Sequence, residues 1–167
     1  MSSIPVAEHH RAEILLVEDN EDDLELALRA FKLAKLNYPV HVARDGVEAL
    51  EFVFCEGAYS HRSLDRPPRI ILLDMKLPKV DGLEVLKRIK GDPRTRTIPV
   101  ILLTSSRQSS DVTESYENGC NAYIVKPINF DQFMNAVQLI GSFWLGLNQP
   151  PVPHNALLSS PPEPAKG

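Results

Sequence analysis

A chain of 167 residues fits one dominant folding unit. Its 43% hydrophobic and 24% charged residues are ordinary for a globular domain, and its net charge of −4 supplies no basic field for gripping nucleic-acid phosphates. No apolar run approaches the roughly 20 residues that span a bilayer. Residues 1–13 lack the basic-then-apolar layout of a secretory signal. Cys55 and Cys120 are too few and too far apart for a disulfide framework or a zinc site. A cytoplasmic protein is expected, with neither a membrane nor a nucleic acid as partner.

In chain order, residues 1–12 mix Ser, Pro, His and Glu without periodicity and read as a flexible arm, in which His9 and His10 are expected to be solvated. From 13 to 147 two kinds of segment alternate. Short apolar runs at 14–17, 40–43, 69–73, 98–103 and 121–125 predict strands, three of them apolar nearly throughout, as parallel strands covered on both faces should be. Between them lie helical patterns. The first places Leu24, Ala27, Leu28, Phe31 and Ala34 on one stripe; the second, after Asp45 and Gly46, carries Val47, Leu50, Val53 and Phe54. A third carries Leu83, Val85, Leu86 and Ile89 and closes near Gly91–Pro93. A weakly apolar fourth spans about 109–118 before Gly119, and the most apolar, a fifth, runs over 130–145. Residues 148–167 are proline-rich and cannot continue a helix. Five strand–helix repeats predict an α/β fold with right-handed crossovers.

In such folds reacting groups collect beyond the carboxyl ends of the strands. Here those ends carry Glu18 and Asp19, then Asp74, then Thr104 with Ser105 and Ser106, then Lys126 before Pro127. Carboxylates gathered at one edge repel unless a cation joins them, and hard oxygen ligands suit Mg²⁺. A carboxylate beside Mg²⁺ and an ammonium can accept a phosphoryl group, with Lys126 and the Thr104 hydroxyl neutralising its other oxygens. Each feature alone has a plainer reading. The acids of 18–23 suit a solvated helix start, a lone Asp after a strand is often a cap, and Lys126-Pro127 can be a loop. Their co-occurrence at one sheet edge favours the site.

The motifs Ile-Leu-Leu-Val-Glu-Asp-Asn (14–20), Ile-Leu-Leu-Asp-Met-Lys-Leu-Pro-Lys-Val-Asp-Gly (71–82), Val-Ile-Leu-Leu-Thr-Ser (100–105) and Ala-Tyr-Ile-Val-Lys-Pro (122–127) together resemble the receiver domain of two-component response regulators, over about residues 12–145. The resemblance implies a five-stranded, doubly wound, flavodoxin-like parallel sheet of order 2-1-3-4-5 with five helices. It implies that Asp74 accepts a phosphoryl group from a histidine kinase in a Mg²⁺-dependent reaction, so that the protein turns over no separate substrate. Mg²⁺ would be held by Asp19, Asp74, the Lys76 backbone carbonyl and Glu18, which stands where many members carry Asp. Thr104 and Tyr123 match the family's switch pair, and Lys126 matches its lysine.

The proline-rich ending is not expected to form an effector domain, so a stand-alone regulator signalling through protein association is expected. The ending at 143–151 and the long segment 55–67 look like the phytochrome-associated single-domain regulators, which implies a light-sensing kinase as donor. The same likeness implies a homodimer through the face made by the fourth helix, fifth strand and fifth helix. Phe133, Val137, Ile140 and Trp144 are expected at that interface, from an apolar set too broad to cover one sheet face. The alternative is a phosphorylation-independent scaffold or dimerisation module of the same fold. An aspartyl phosphatase is disfavoured because Lys76 stands where a general acid would be needed. A flavin-type phosphate cradle is disfavoured by carboxylates after the first strand.

Overall fold

The computed structural model describes residues 14–35 and 38–152; the N-terminal arm with His9 and His10, and the tail from 153 onward, lie outside the described residues. Five parallel strands, β1 (Ile14–Val17), β2 (Val40–Ala43), β3 (Ile70–Leu73), β4 (Val100–Thr104) and β5 (Ala122–Val125), form one sheet in the order β2-β1-β3-β4-β5. Register is unbroken across the centre, with Val17 paired to both Ala43 and Leu73. The three runs that are apolar nearly throughout are β1, β3 and β4, and every residue in these strands is buried, because helices cover both faces of the inner strands. β2 and β5 are the edges and only partly buried.

Side chains alternate across the sheet. Ile14, Leu16, Ile70, Leu72, Ile101 and Leu103 meet α1 (Glu21–Leu33) and α5 (Phe130–Ile140) on one face. Leu15, Val17, Ile71, Leu73, Val100 and Leu102 meet α2 (Gly46–Phe54) and α3 (Gly82–Gly91) on the other. Each of these helices starts where an Asn or Asp side chain accepts a backbone N–H: Asn20 from Asp23, Asp45 from Glu48, Asp81 from Glu84 and Asn129 from Asp131. The weakly apolar α4 (Ser109–Glu117) buries only Ser115 and stops before Gly119, whose φ of +91° a side chain would strain. Leu28 and Val47, expected on buried stripes, are 38% and 37% exposed. At 100° per residue Leu28 lies at the margin of the stripe centred on Ala27, and Ala30 takes its place in the core.

The fifth helix departs most from expectation. After Ile140 the α-helix widens into π-helical turns over Gly141–Leu147, with the Asn148 N–H reaching the Phe143 carbonyl five residues back. Widening changes which side chain follows Ile140 inward. An α-helix would bring Trp144 under it; the π turn brings Leu145 instead, which is 3% exposed and whose carbonyl accepts from the Tyr38 hydroxyl at 3.3 Å. Trp144 is left half-buried against the same cluster.

This corrects the expected dimer surface. Phe133, Val137 and Ile140 are 3%, 1% and 4% exposed, packed on their own sheet and α1, so they have no free area for a partner. The exposed apolar side chains of this region are Leu139, Phe143 and Leu147.

Candidate functional site

Each site residue sits one step past, or at the end of, a strand, and the ladder extends to hold it. The Glu18 N–H donates to the Ala43 carbonyl (3.0 Å), the Asp74 N–H to the Val17 carbonyl (3.1 Å), and the Lys126 N–H to the Thr104 carbonyl (2.8 Å). Side chains from β1, β3, β4 and β5 therefore leave the sheet at one edge with little backbone freedom. The loop after β3 is clamped as well. The Gly82 N–H donates to the Met75 carbonyl at 2.8 Å, and a Cβ on Gly82 would lie 2.1 Å from the Asp74 carbonyl oxygen. Only glycine allows α3 to start so close to Asp74.

Lys126 is the centre of the charge arrangement. Its Nζ donates to Glu18 Oε2 at 2.5 Å, Asp74 Oδ2 at 2.8 Å and Asp23 Oδ2 at 3.0 Å. The lysine, Glu18 and Asp74 side chains are nearly buried, at 11%, 5% and 9% exposure, whereas Asp23 is 43% exposed. Burial pushes the Glu18 carboxyl up to about 7; the bond from Lys126 opposes this, and the Asp74 charge reinforces it. For Lys126, burial acts to lower the pKa, but the bonds to Asp74 and Glu18 outweigh it and hold the ammonium charged well above the ordinary lysine range. The other Asp74 oxygen, Oδ1, accepts the Lys76 N–H at 3.2 Å.

Carboxylate oxygens of Glu18, Asp19 and Asp74 all lie within 4.8 Å of one another. Glu18 and Asp74 are buried and Asp19 is exposed, so the group opens to solvent on one side. Hard anionic oxygens in this number, with one ammonium among them, fit a divalent cation that keeps several waters.

Thr104 is fully buried, and its Oγ1 accepts the Ser106 N–H at 3.4 Å. Tyr123 is half-buried, and its hydroxyl donates to the Ser106 carbonyl at 3.0 Å. Burial raises this phenol's pKa, so it remains a donor at neutral pH. Ser106 Oγ in turn donates to Asp111 Oδ2 at 2.5 Å, which ties the loop after β4 to the first turn of α4.

The structure thus brings together Glu18, Asp19, Asp74 and Lys126, while Thr104 at the end of β4 and Tyr123 within β5 both bond to Ser106 in the loop after β4. The four residues expected at a dimer surface lie apart from this edge, on α5 and the turns after it. Asp23 is the residue that sequence reasoning missed. In the sequence it is one acid in a run that reads as a helix start. Which of Glu21, Asp22 and Asp23 turns toward Lys126 depends on where α1 begins, and the Asn20 cap sets that.

A family model described as "Response regulator receiver domain" matches residues 14–138. The chain is 43% identical over 141 residues to a probable methanogenesis regulatory protein, FilR2, of Methanothrix harundinacea, covering 84% of this chain and 88% of that one. The phosphorylated cyanobacterial phytochrome response regulator RcpA is similar in structure, with a TM-score of 0.79 and 40% identity, covering 84% of this chain and 99% of the other. The bacteriophytochrome response regulator AtBRR is 52% identical, with a TM-score of 0.67, covering 83% and 98%.

Proposed function

Because the chain belongs to the response regulator receiver domain family, we propose that it is a phosphoryl-accepting switch in which Asp74 takes the group from a histidine kinase and the change is read out by altered protein association. The observation that carries this is the set of bonds on Asp74. One oxygen is held by the Lys126 ammonium and the other by the Lys76 N–H, in an edge where two further carboxylates converge.

Asp74 Oδ forms the O–P bond as the N–P bond of a phosphohistidine breaks, and the bonding pair returns to the imidazole nitrogen. The acyl phosphate is the product, and no other substrate takes part. Mg²⁺ would be held by Glu18, Asp19, Asp74 and the Lys76 backbone carbonyl, and when bound it supplies positive charge to the phosphoryl oxygens. Lys126 offers an N–H to another oxygen. The Thr104 hydroxyl donates to a third phosphoryl oxygen in this reading, and the Ser106 backbone, bonded to both Thr104 and the Tyr123 hydroxyl, links that change to the ring.

The donor is a phytochrome-type kinase in this reading. Its support is the likeness to two regulators named for phytochromes, one 52% and the other 40% identical. A homodimer through the α4–β5–α5 face belongs to the same reading, with exposed Leu139, Phe143 and Leu147 beside half-buried Trp144, in place of the buried Phe133, Val137 and Ile140.

Incubation with a small acyl phosphate and Mg²⁺ should add one phosphoryl group by intact mass, and Asp74→Asn or EDTA should abolish it. If the small donor fails, a phosphorylated bacteriophytochrome kinase is the second donor. Absence of adduct from both would overturn the phosphoacceptor reading.

A further inference from the structure

An ammonium has three N–H bonds, and those of Lys126 are fully committed: to Glu18 at 2.5 Å, Asp74 at 2.8 Å and Asp23 at 3.0 Å. A phosphoryl oxygen arriving on Asp74 can be contacted by Lys126 only if one of these bonds is given up. The three differ in what breaking them costs. Glu18 is 5% exposed, so a carboxylate released there loses its partner with little water to replace it, whereas phosphorylated Asp74 is no longer a carboxylate and keeps a carbonyl oxygen as an acceptor for Lys126. Asp23 is 43% exposed, and water takes over its oxygens when Lys126 leaves. Asp23 is also outside the group of converging carboxylate oxygens, so its charge is not tied to a metal ion. It stands on the first turn of α1, fixed by its own N–H to the Asn20 side chain.

We propose that Asp23 is a positioning residue that holds the third Lys126 proton in the resting state and surrenders it to the phosphoryl group, so that Asp23 competes with the phosphoryl oxygen for Lys126. This rests on the phosphoacceptor reading of Asp74 and adds a residue to it. The competition lowers the affinity of the site for a phosphoryl-like anion and steadies Lys126 when none is present. The sign of the effect separates this role from a structural one. Loss of a merely structural contact would weaken anion binding, whereas loss of a competitor strengthens it.

The test is binding of trifluoroberyllate in the presence of Mg²⁺, followed by ¹⁹F NMR and calorimetry, on wild type, Asp23→Asn and Asp23→Ala. Each variant should bind about two- to fivefold more tightly, the range expected for a partly exposed ion pair. The gain should shrink at high salt as the pair it removes is screened. Asp23→Asn keeps the shape of the side chain and the helix start, so it answers even if Asp23→Ala folds poorly. Unchanged or weaker binding in Asp23→Asn, with wild type binding normally, would overturn the role of Asp23. Wild type that binds no trifluoroberyllate and gains no phosphoryl adduct would instead remove the reading on which it rests.

Discussion

Lys126 is the one cation bonded to two buried carboxylates among the described residues, and that sets its worth. Replacing it by Met leaves Glu18 and Asp74 side by side without a positive group, and breaking a buried pair in this way costs about 3–5 kcal/mol. Lys126→Met should therefore melt at lower temperature than wild type in EDTA. Added Mg²⁺ restores positive charge between the carboxylates and should raise the melting temperature of the variant more than that of wild type. Melts with and without Mg²⁺ check this; an equal Mg²⁺ shift in both proteins would refute the charge compensation, and no shift in either would count against the carboxylates as metal ligands. At this scale the site was largely legible in the sequence. Asp74, Thr104 and Lys126 each follow an apolar run directly, so their place at the edge depends only on where strands end. Asp23 was not legible, because its bond to Lys126 spans 103 positions and depends on the rotation of α1.

Elements reach the site through their fastenings, and Lys90 is an informative one. It ends α3 and donates from Nζ to the carbonyls of Arg96 and Ile98 and to Asn121 Oδ1, at 3.0, 2.8 and 2.9 Å, joining α3 to the segments that lead into β4 and β5. Burial holds its pKa down at about 8. Below pH 8 both folded and unfolded chains carry the proton and the cost of burying it is fully present. Between pH 8 and about 10.5 the unfolded chain binds more protons, so this group's contribution to stability rises with pH. Urea midpoints at pH 7.5 and 9.5 should show wild type gaining relative to Lys90→Met; a constant difference would refute the buried-charge account. Lys90→Met should itself be destabilised by about 2 kcal/mol, from the acceptors left without a donor. The end of α5 shows what periodicity alone misses. An apolar pattern over 130–145 is compatible with α or π turns, and the choice is made by whether Trp144 or Leu145 fits beneath Ile140, a question of shape between α1 and the sheet.

For the molecule as a whole, α1 and α5 close one face of the sheet and α2 and α3 the other, and no helix among the described residues is long and apolar enough to cross a membrane. On α5 and the π turns that follow it, Leu139, Phe143 and Leu147 are 63%, 49% and 81% exposed and so open to a partner. If copies of the chain meet there, Leu139→Glu with Leu147→Glu should reduce the sedimenting mass to that of a monomer, whereas Val137→Ala, inside the core, should lower stability by roughly 1–3 kcal/mol and leave the mass alone. Wild type already monomeric, with and without acyl phosphate, would discard the dimer.

The sequence by itself determined the kind of fold and the chemistry of its edge. Strand and helix periods are local, buried parallel strands need unbroken apolar runs, and reactive side chains placed just after such runs must gather at one side of the sheet. Only the tertiary structure decided which apolar side chains of α5 are consumed by the core, which acid of the α1 run meets Lys126, and that Lys126 holds three carboxylates at once. Those outcomes depend on distances between segments far apart in the chain. Such distances are set by packing and by helix rotation, and no local pattern in the sequence records them.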